Sequence, residues 1–424
     1  MQGGQHSPAA PPLWLLVLIT ISGTVSMHMF APSLPQVATE LHASIAQVQM
    51  TVTVYIFGLA VGQLIHGPLS DALGRRPVLI GGLALYVAAG VLAALAPDLD
   101  TLLGARALQA LGGSCGIVLG RAIVRDTVRG DSAVRKLALM NLVLLLSPGL
   151  TPMLGGLLAA ALSWRAIFWT LAVLGAVVIV SVVFLLRETG TPHGRFSARS
   201  LWNDYRTLVT TPRVTSFVLG GAWATCTMMA FVATAPFVFT RQLHRPLHEV
   251  GIYLGLLMLG IAVGNFLTSR LSRRISLDLL LMTGGTMVWL ASIAMLVLVL
   301  SDRVSVAGLM TCMAVVTCGV GLTSPPSMVK SLTVPPALTG SASALTGSAQ
   351  MGVGALCTLL SAFGDNLALS AALVMTVGSG FGLWMLRRAL RIERAEEAQV
   401  EALARASALA HQSAPPSTES ARDR

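Results

Sequence analysis

Gly67-Pro68-Leu69-Ser70-Asp71-Ala72-Leu73-Gly74-Arg75-Arg76-Pro77 interrupts two long apolar runs, residues 47–67 before it and 78–96 after it. A helix that crosses a bilayer needs about 20 mostly apolar residues, and each flanking run meets that requirement. Extending the same ruler outward gives spans at 13–33, 101–122, 136–160 and 165–187. After a polar connection, further spans fall at 213–239, 249–269, 277–300, 304–326, 337–362 and 367–388, twelve in all. The glycines and proline of the quoted stretch suit a tight turn. Its Asp and Arg pair can bridge neighbouring helix ends. A related segment, Ser269-Arg270-Leu271-Ser272-Arg273-Arg274, follows the eighth span and places a basic pair at the same point of a second six-helix unit. Repeated halves with a site between them are a common transporter plan.

Composition agrees. Of 424 residues, 54% are hydrophobic and only 11% charged, whereas a soluble domain carries about 25% charged residues. Disorder requires low hydrophobicity and is excluded on the same ground. The expected fold is an all-α membrane protein of twelve transmembrane helices in two six-helix bundles. The expected organisation is a tail at 1–12, a first bundle at 13–187, a linker at 188–212, a second bundle at 213–388, and a tail at 389–424 that is helical to about His411 and disordered beyond. The net charge of +10 invites a nucleic-acid reading, but the basic residues recur between spans instead of gathering in one domain. With the N-terminus inside, one face receives Arg75, Arg76, Arg125, Arg129, Arg135, Lys136, the 188–212 connection, Arg270, Arg273, Arg274, Lys330, Arg387, Arg388, Arg391 and Arg394. The other receives only Arg165, Arg241, Arg245 and Arg303. The positive-inside rule then puts both termini in the cytoplasm and the protein in the inner (plasma) membrane. No nucleic-acid partner, cofactor or metal is expected. The five cysteines fall in apolar runs without metal-ligand spacing, and no Gly-x-x-x-x-Gly-Lys-[Ser/Thr] loop is present for ATP.

Three segments point to chemistry. Arg106-Ala107-Leu108-Gln109-Ala110-Leu111-Gly112 places an arginine within span four, where it is costly unless it meets a cavity or partner. Arg106, Gln109 and Gly113 share one helical face, while Gly112, Gly116 and Gly120 form a packing stripe. Arg121 and Arg125-Asp126 close that span. Ser147-Pro148-Gly149-Leu150-Thr151-Pro152-Met153-Leu154-Gly155-Gly156 in span five bends the helix at Pro148 and Pro152 and allows close approach at Gly156.

The loop at 67–77, with these segments, resembles the major facilitator superfamily. Met29-Phe30-Ala31-Pro32-Ser33-Leu34-Pro35, Ala235-Pro236-Phe237 and Gly340-Ser341-Ala342-Ser343-Ala344-Leu345 resemble its bicyclomycin-resistance (Bcr/CflA) group of drug:proton antiporters. The resemblance implies the major facilitator fold and proton antiport. It also implies a gating contact from Asp71 to the amino end of span eleven near Thr339–Ser341, proton transfer through Arg106, and an antiporter motif at 147–156. Plainer readings remain: a topology signal for the loop, an arginine that snorkels to the outer surface, a kink without coupling significance.

The chain departs from that group at one place. Where its members carry an Asp before the first Pro of span one, this chain has His28, and no Asp or Glu lies in the middle third of any span. His28, with an ordinary pKa of about 6.5, either exchanges protons in place of the missing acid or hydrogen-bonds in the outer vestibule. An acid-free cavity disfavours isolated organic cations and suits neutral, zwitterionic or anionic amphiphiles. Met228, Phe231 and Met351 are cavity candidates, and Asn141 and Asn265 are polar in-span residues. The expected function is efflux of small amphipathic molecules by proton antiport, in a monomer surrounded by lipid. Rivals are a metabolite carrier of the same fold (uptake symporter, exporter or uniporter), a polytopic membrane enzyme, for which no catalytic group set is found, and a non-transporting sensor. His28→Asp is expected to shift the pH profile of export and widen tolerance for cations, measured in cells at two external pH values; no change in either would make His28 a bystander.

Overall fold

The computed structural model describes residues 11–127, 150–190, 198–335, 338–364 and 366–413. Among these the chain is helical. The first half comprises α1 (Leu13–Phe30), continued through a short 3-10 turn into α2 (Leu34–Glu40), then α3 (Ile45–Leu73), α4 (Arg75–Ala94), α5 (Leu99–Thr127), α6 (Leu150–Ala161) and α7 (Trp164–Leu185). The amphipathic α8 (Ala198–Thr210) leads to α9 (Pro212–Cys226), α10 (Met228–Phe237), α11 (Leu247–Leu271), α12 (Leu277–Leu300), α13 (Val306–Ser331), α14 (Thr339–Ser361) and α15 (Leu367–Ser413). Ten of the described helical segments are long and apolar enough to cross a membrane. α14 is richer in Ser, Thr and Gly than these, and α6 is described only from Leu150. The last helix runs past its apolar part to Ser413, so the expected tail helix is continuous with the final span.

Local chemistry sets the helix limits. α3 opens with a capping box in which Ser44 Oγ accepts from the Gln47 amide and Gln47 Oε1 accepts from the Ser44 amide. It closes at Gly74, whose φ of +102° and ψ of 153° are open only to glycine. Glu188, just beyond α7, accepts from the backbone amides of Arg75 and Arg76 at 2.9 and 3.1 Å and so caps α4 with a carboxylate.

Among the described residues the packing divides into cores of different reach. The chain alternates direction, so the helix ends at Arg75 and Lys330 and the part of α15 near Arg391 form one end of the molecule (the basic end), and the 40–45 and 300–305 turns form the other (the far end). Toward the far end one apolar core contains residues of both halves, among them Phe30, Tyr55, Phe168, Phe231, Val353 and Met375. Toward the basic end each half keeps its own: Leu15, Leu79, Leu119 and Val182 in the first, Phe217, Leu281 and Leu386 in the second. Polar contacts across the halves follow the shared core. Gln49 Nε2 donates to the Ala233 carbonyl (3.1 Å), and the Thr53 and Thr358 hydroxyls meet at 2.8 Å. At the far end Glu40 accepts from Trp164 Nε1 (2.7 Å) and pairs with Arg165, tying α2 to α7.

Small residues let the helices close on one another. Gly116 and Gly120 of the expected stripe face α1, whereas Gly112 faces α4, so the stripe serves two partners. Gly155 lies against the Met29 carbonyl, and Gly251 of α11 lies against the Pro152 carbonyl. α6 therefore joins α1 on one side and the second half on the other. A β-carbon at 155 has no room, because the obstacle is backbone. Gly155→Val is expected to cost roughly 1–3 kcal/mol and lower the thermal midpoint of the purified protein. Gly104→Ala, where nothing lies within 4 Å of the added carbon, is expected to leave it unchanged or slightly raised, in the same thermal-unfolding measurement.

Candidate functional site

At the basic end of the first half, Arg75 begins α4 with its side chain only 8% exposed. Its guanidinium pairs with Asp71 (2.6 Å) and Asp126 (3.1 Å) and donates to Ser70 Oγ (2.5 Å), linking the ends of α3, α4 and α5. Arg76 donates through Nη2 to the Val183 carbonyl at 2.8 Å and so reaches α7. The loop motif thus works as the residue types suggested: a buried cation collects acids from helix ends that would otherwise repel or wander.

Asp71 does not reach the amino end of α14. Its side chain is 59% exposed and bound to Arg75. The carboxylate at that helix end is Asp204, on α8, which accepts from Ser341 Oγ at 3.3 Å. The physical reason is the packing of α8: Leu208 is buried with Val214, Val218 and Ala342, which brings its neighbours against α14. Tyr205 of the same helix donates to the Leu64 carbonyl (3.4 Å), a bond from the connection to the first half. Burial and the adjacent Asp204 carboxylate push its hydroxyl up to about 12, so it keeps its proton and remains a donor at physiological pH.

The second half has a cluster of its own that the sequence reading missed. Lys330, at the end of α13, pairs with Asp278 at the start of α12 (2.6 Å) and with Glu393 of α15 (2.5 Å), and Arg394 lies 3.6 Å from Asp278. The signal available was weak: one lysine ending a span, with acids far away in sequence.

Arg106 is completely buried, so it lines no open cavity here. It lies within the first half, where Nη1 donates to Ser26 Oγ (2.9 Å) and Gln109 Oε1 (2.8 Å). Its guanidinium carbon is 3.8 Å from the centre of the Tyr55 ring, 5.1 Å from Phe30 and 5.6 Å from Phe168. Gln109 and Gly113 face the same interior. His28 is buried too, but it bonds within its own helix, Nδ1 donating to the Thr24 carbonyl at 2.9 Å. No ion pair or hydrogen bond joins it to Arg106 among the described residues.

The remaining candidates scatter. Arg121 is exposed on α5. Met228 and Phe231 are buried in the shared core, Phe231 edge-on to Phe239 at 6.2 Å, so neither lines an open cavity in this state. Met351 is half-buried against the same core. Asn265 lines a groove of about 270 Å³ between α11 and α13, with Thr268, Pro325 and Pro326. Pro152 lies in α6 at the seam described above, and Gly156 is buried on the same helix, next to the Gly155 that makes the close approach to Met29. Asn141 and Pro148 lie outside the described residues. His66, not singled out from the sequence, sits on α3 with Nδ1 2.8 Å from the Gly62 carbonyl and 3.0 Å from Ser114 Oγ of α5.

The sequence profile of the Major Facilitator Superfamily matches residues 16–358. The chain belongs to the major facilitator superfamily. Similar curated proteins include an uncharacterized MFS-type transporter, YdgK, of Bacillus subtilis, 32% identical over 268 residues, which cover 61% of this chain and 65% of that one. The multidrug resistance protein MdtL of Shigella dysenteriae is 34% identical over 230 residues, covering 52% and 55%. The matched stretches thus span between about half and two thirds of these relatives. Solved structures with the same fold include an inward-facing, occupied bacterial homologue of the human lysosomal transporter Spinster (TM-score 0.69, 15% identity, 89% of this chain and 96% of that one). A D-xylose–proton symporter also matches (TM-score 0.69, 12% identity, 87% and 96%). This facilitator is a multi-pass membrane protein whose matches are transporters, not enzymes. Because Asp71 is a mostly exposed member of its ion pair, removing its charge is expected to cost at most about 1 kcal/mol. Asp71→Asn is expected to lower the maximal transport rate of this facilitator more than it raises the half-saturating concentration, with the thermal midpoint nearly unchanged. An unaltered maximal rate would count against gating at Asp71.

Proposed function

We propose that the protein exports small amphipathic molecules across the inner membrane in exchange for protons, with its basic end and both termini in the cytoplasm. The observation that carries this reading is the division of the core. A single apolar core joins the halves at the far end, while separate cores keep them distinct at the basic end. Such an arrangement is a state sealed toward the outside and able to open toward the cytoplasm, one of the two that alternating access requires. The basic residues on the cytoplasmic side follow the positive-inside rule.

Export over uptake is supported by two things. The Pro152–Gly156 segment, which resembles an antiporter motif, lies where α6 meets both α1 and α11, so a bend there is felt at the seam between the halves. The similarity to MdtL, a multidrug resistance protein, points the same way. The alternative, a metabolite carrier, shares the fold, and a D-xylose–proton symporter is among the structural matches, so fold alone does not choose between them.

The test is transport by the full chain in sealed vesicles with an imposed pH gradient, using the neutral dye Nile red and the cation ethidium as probes. The expected outcome is dye movement against the proton flux, with Nile red moved faster than ethidium. Movement of solute in the same direction as protons would establish the symporter reading instead.

A further inference from the structure

The partners of Arg106 are all uncharged. Ser26 and Gln109 receive one nitrogen, and the faces of Tyr55, Phe30 and Phe168 surround the rest. Aromatic faces offset part of the cost of desolvating a cation, but an unpaired buried charge stays expensive. Hydrogen bonding is also incomplete. Nε and Nη2 of Arg106, Nε2 of Gln109 and Oη of Tyr86 are buried and have no hydrogen-bond partner among the described residues. Each of these atoms carries a proton to give. The cluster has one uncompensated positive charge and a surplus of donors, and the sequence holds no acid in the middle of any span to meet them.

We propose that a monovalent anion, a halide or a single carboxylate, binds against Arg106, Gln109 and Tyr86. Water would satisfy the donors but leave the charge. A dianion would exchange one excess positive charge for one excess negative. A singly charged acceptor balances the charge and takes up the free donors, and the burial of the cluster favours a weakly hydrated one. The cluster lies in the first half, and the rings around it, Phe30, Tyr55, Tyr86 and Phe168, belong to the core shared by the halves, so the anion reaches it when that core parts. Where the carboxylate is the cargo's own, the proposal rests on the export reading; where the ion is chloride it stands apart from it.

The test is thermal unfolding of the purified full chain at fixed ionic strength, with the bulky sulfonate MES replaced stepwise by chloride or by benzoate. The expected result is a saturable rise of a few degrees in the midpoint. Gln109→Glu, which puts a carboxylate beside the guanidinium, should abolish that response and raise the midpoint in MES alone. Ser26→Asp supplies the same charge from α1 should the first variant not fold. A response to chloride identifies an inorganic ion, and a response to benzoate only identifies an organic carboxylate. A midpoint indifferent to both anions, or an anion response undiminished in the variants, overturns the proposal. Because this readout involves no transport, its failure leaves the export reading intact, and failure of vesicle transport leaves the binding result intact.

Discussion

A cation removed from water must find negative charge or a dense field of acceptors, and three such cations organise this molecule. Arg75 gathers Asp71 and Asp126 at the basic end of the first half. Lys330 gathers Asp278 and Glu393 at the basic end of the second. Arg106, buried beside the shared core, gathers only neutral groups. The first two close their charge within the protein and are structural in the plainest sense: each pins several helix ends together where water would otherwise compete. The third does not close, and the same rule that explains the other two makes it the place where something from outside the chain has a part to play.

How much of this was legible in the sequence depended on distance along the chain. The spans were legible because a bilayer imposes a length on apolar runs, and the same ruler reached α14 despite its Ser, Thr and Gly. The Arg75 cluster was legible because two of its members, Asp71 and Arg75, stand one helical turn apart. Glu188 was seen only as part of a polar linker, since its service to the first amides of α4 comes from 113 residues away. The Lys330–Glu393 pair spans 63 residues and left no local pattern at all. Nor did the ring around Arg106: Phe30, Tyr55 and Phe168 are ordinary apolar residues of three helices until the fold turns them toward one guanidinium.

The contact from Asp71 to the amino end of α14 was implied by the family resemblance alone, and in this structure that helix end takes Asp204 while Asp71 pairs with Arg75. What selects Asp204 is the burial of Leu208 among Val214, Val218 and Ala342, a tertiary preference of the connecting helix that hydropathy of the spans does not express. The consequence is that α8 is more than a tether. Through Tyr205 it bonds to α3, through Asp204 to α14, and so it touches one helix from each half at the end where their cores are separate.

The two basic-end clusters occupy equivalent helices, with the signs exchanged at the third and fourth helices and an acid at the sixth in both. In the first half the cation begins the third helix, α4, and acids end or follow the fourth and sixth, α5 and α7. In the second half an acid begins the third helix, α12, a lysine ends the fourth, α13, and an acid lies on the sixth, α15. A repeat that had kept residue identity would have preserved the signs. What both clusters share is a cation met by acids from neighbouring helices, because that is what the low-dielectric surroundings enforce. Each cluster binds its half into a unit without crossing to the other, so relative motion of the halves need break neither. On the export reading proposed above, rocking about the far-end core would leave both clusters whole, and the contacts remade at the basic end would be those of α8 with α3 and α14.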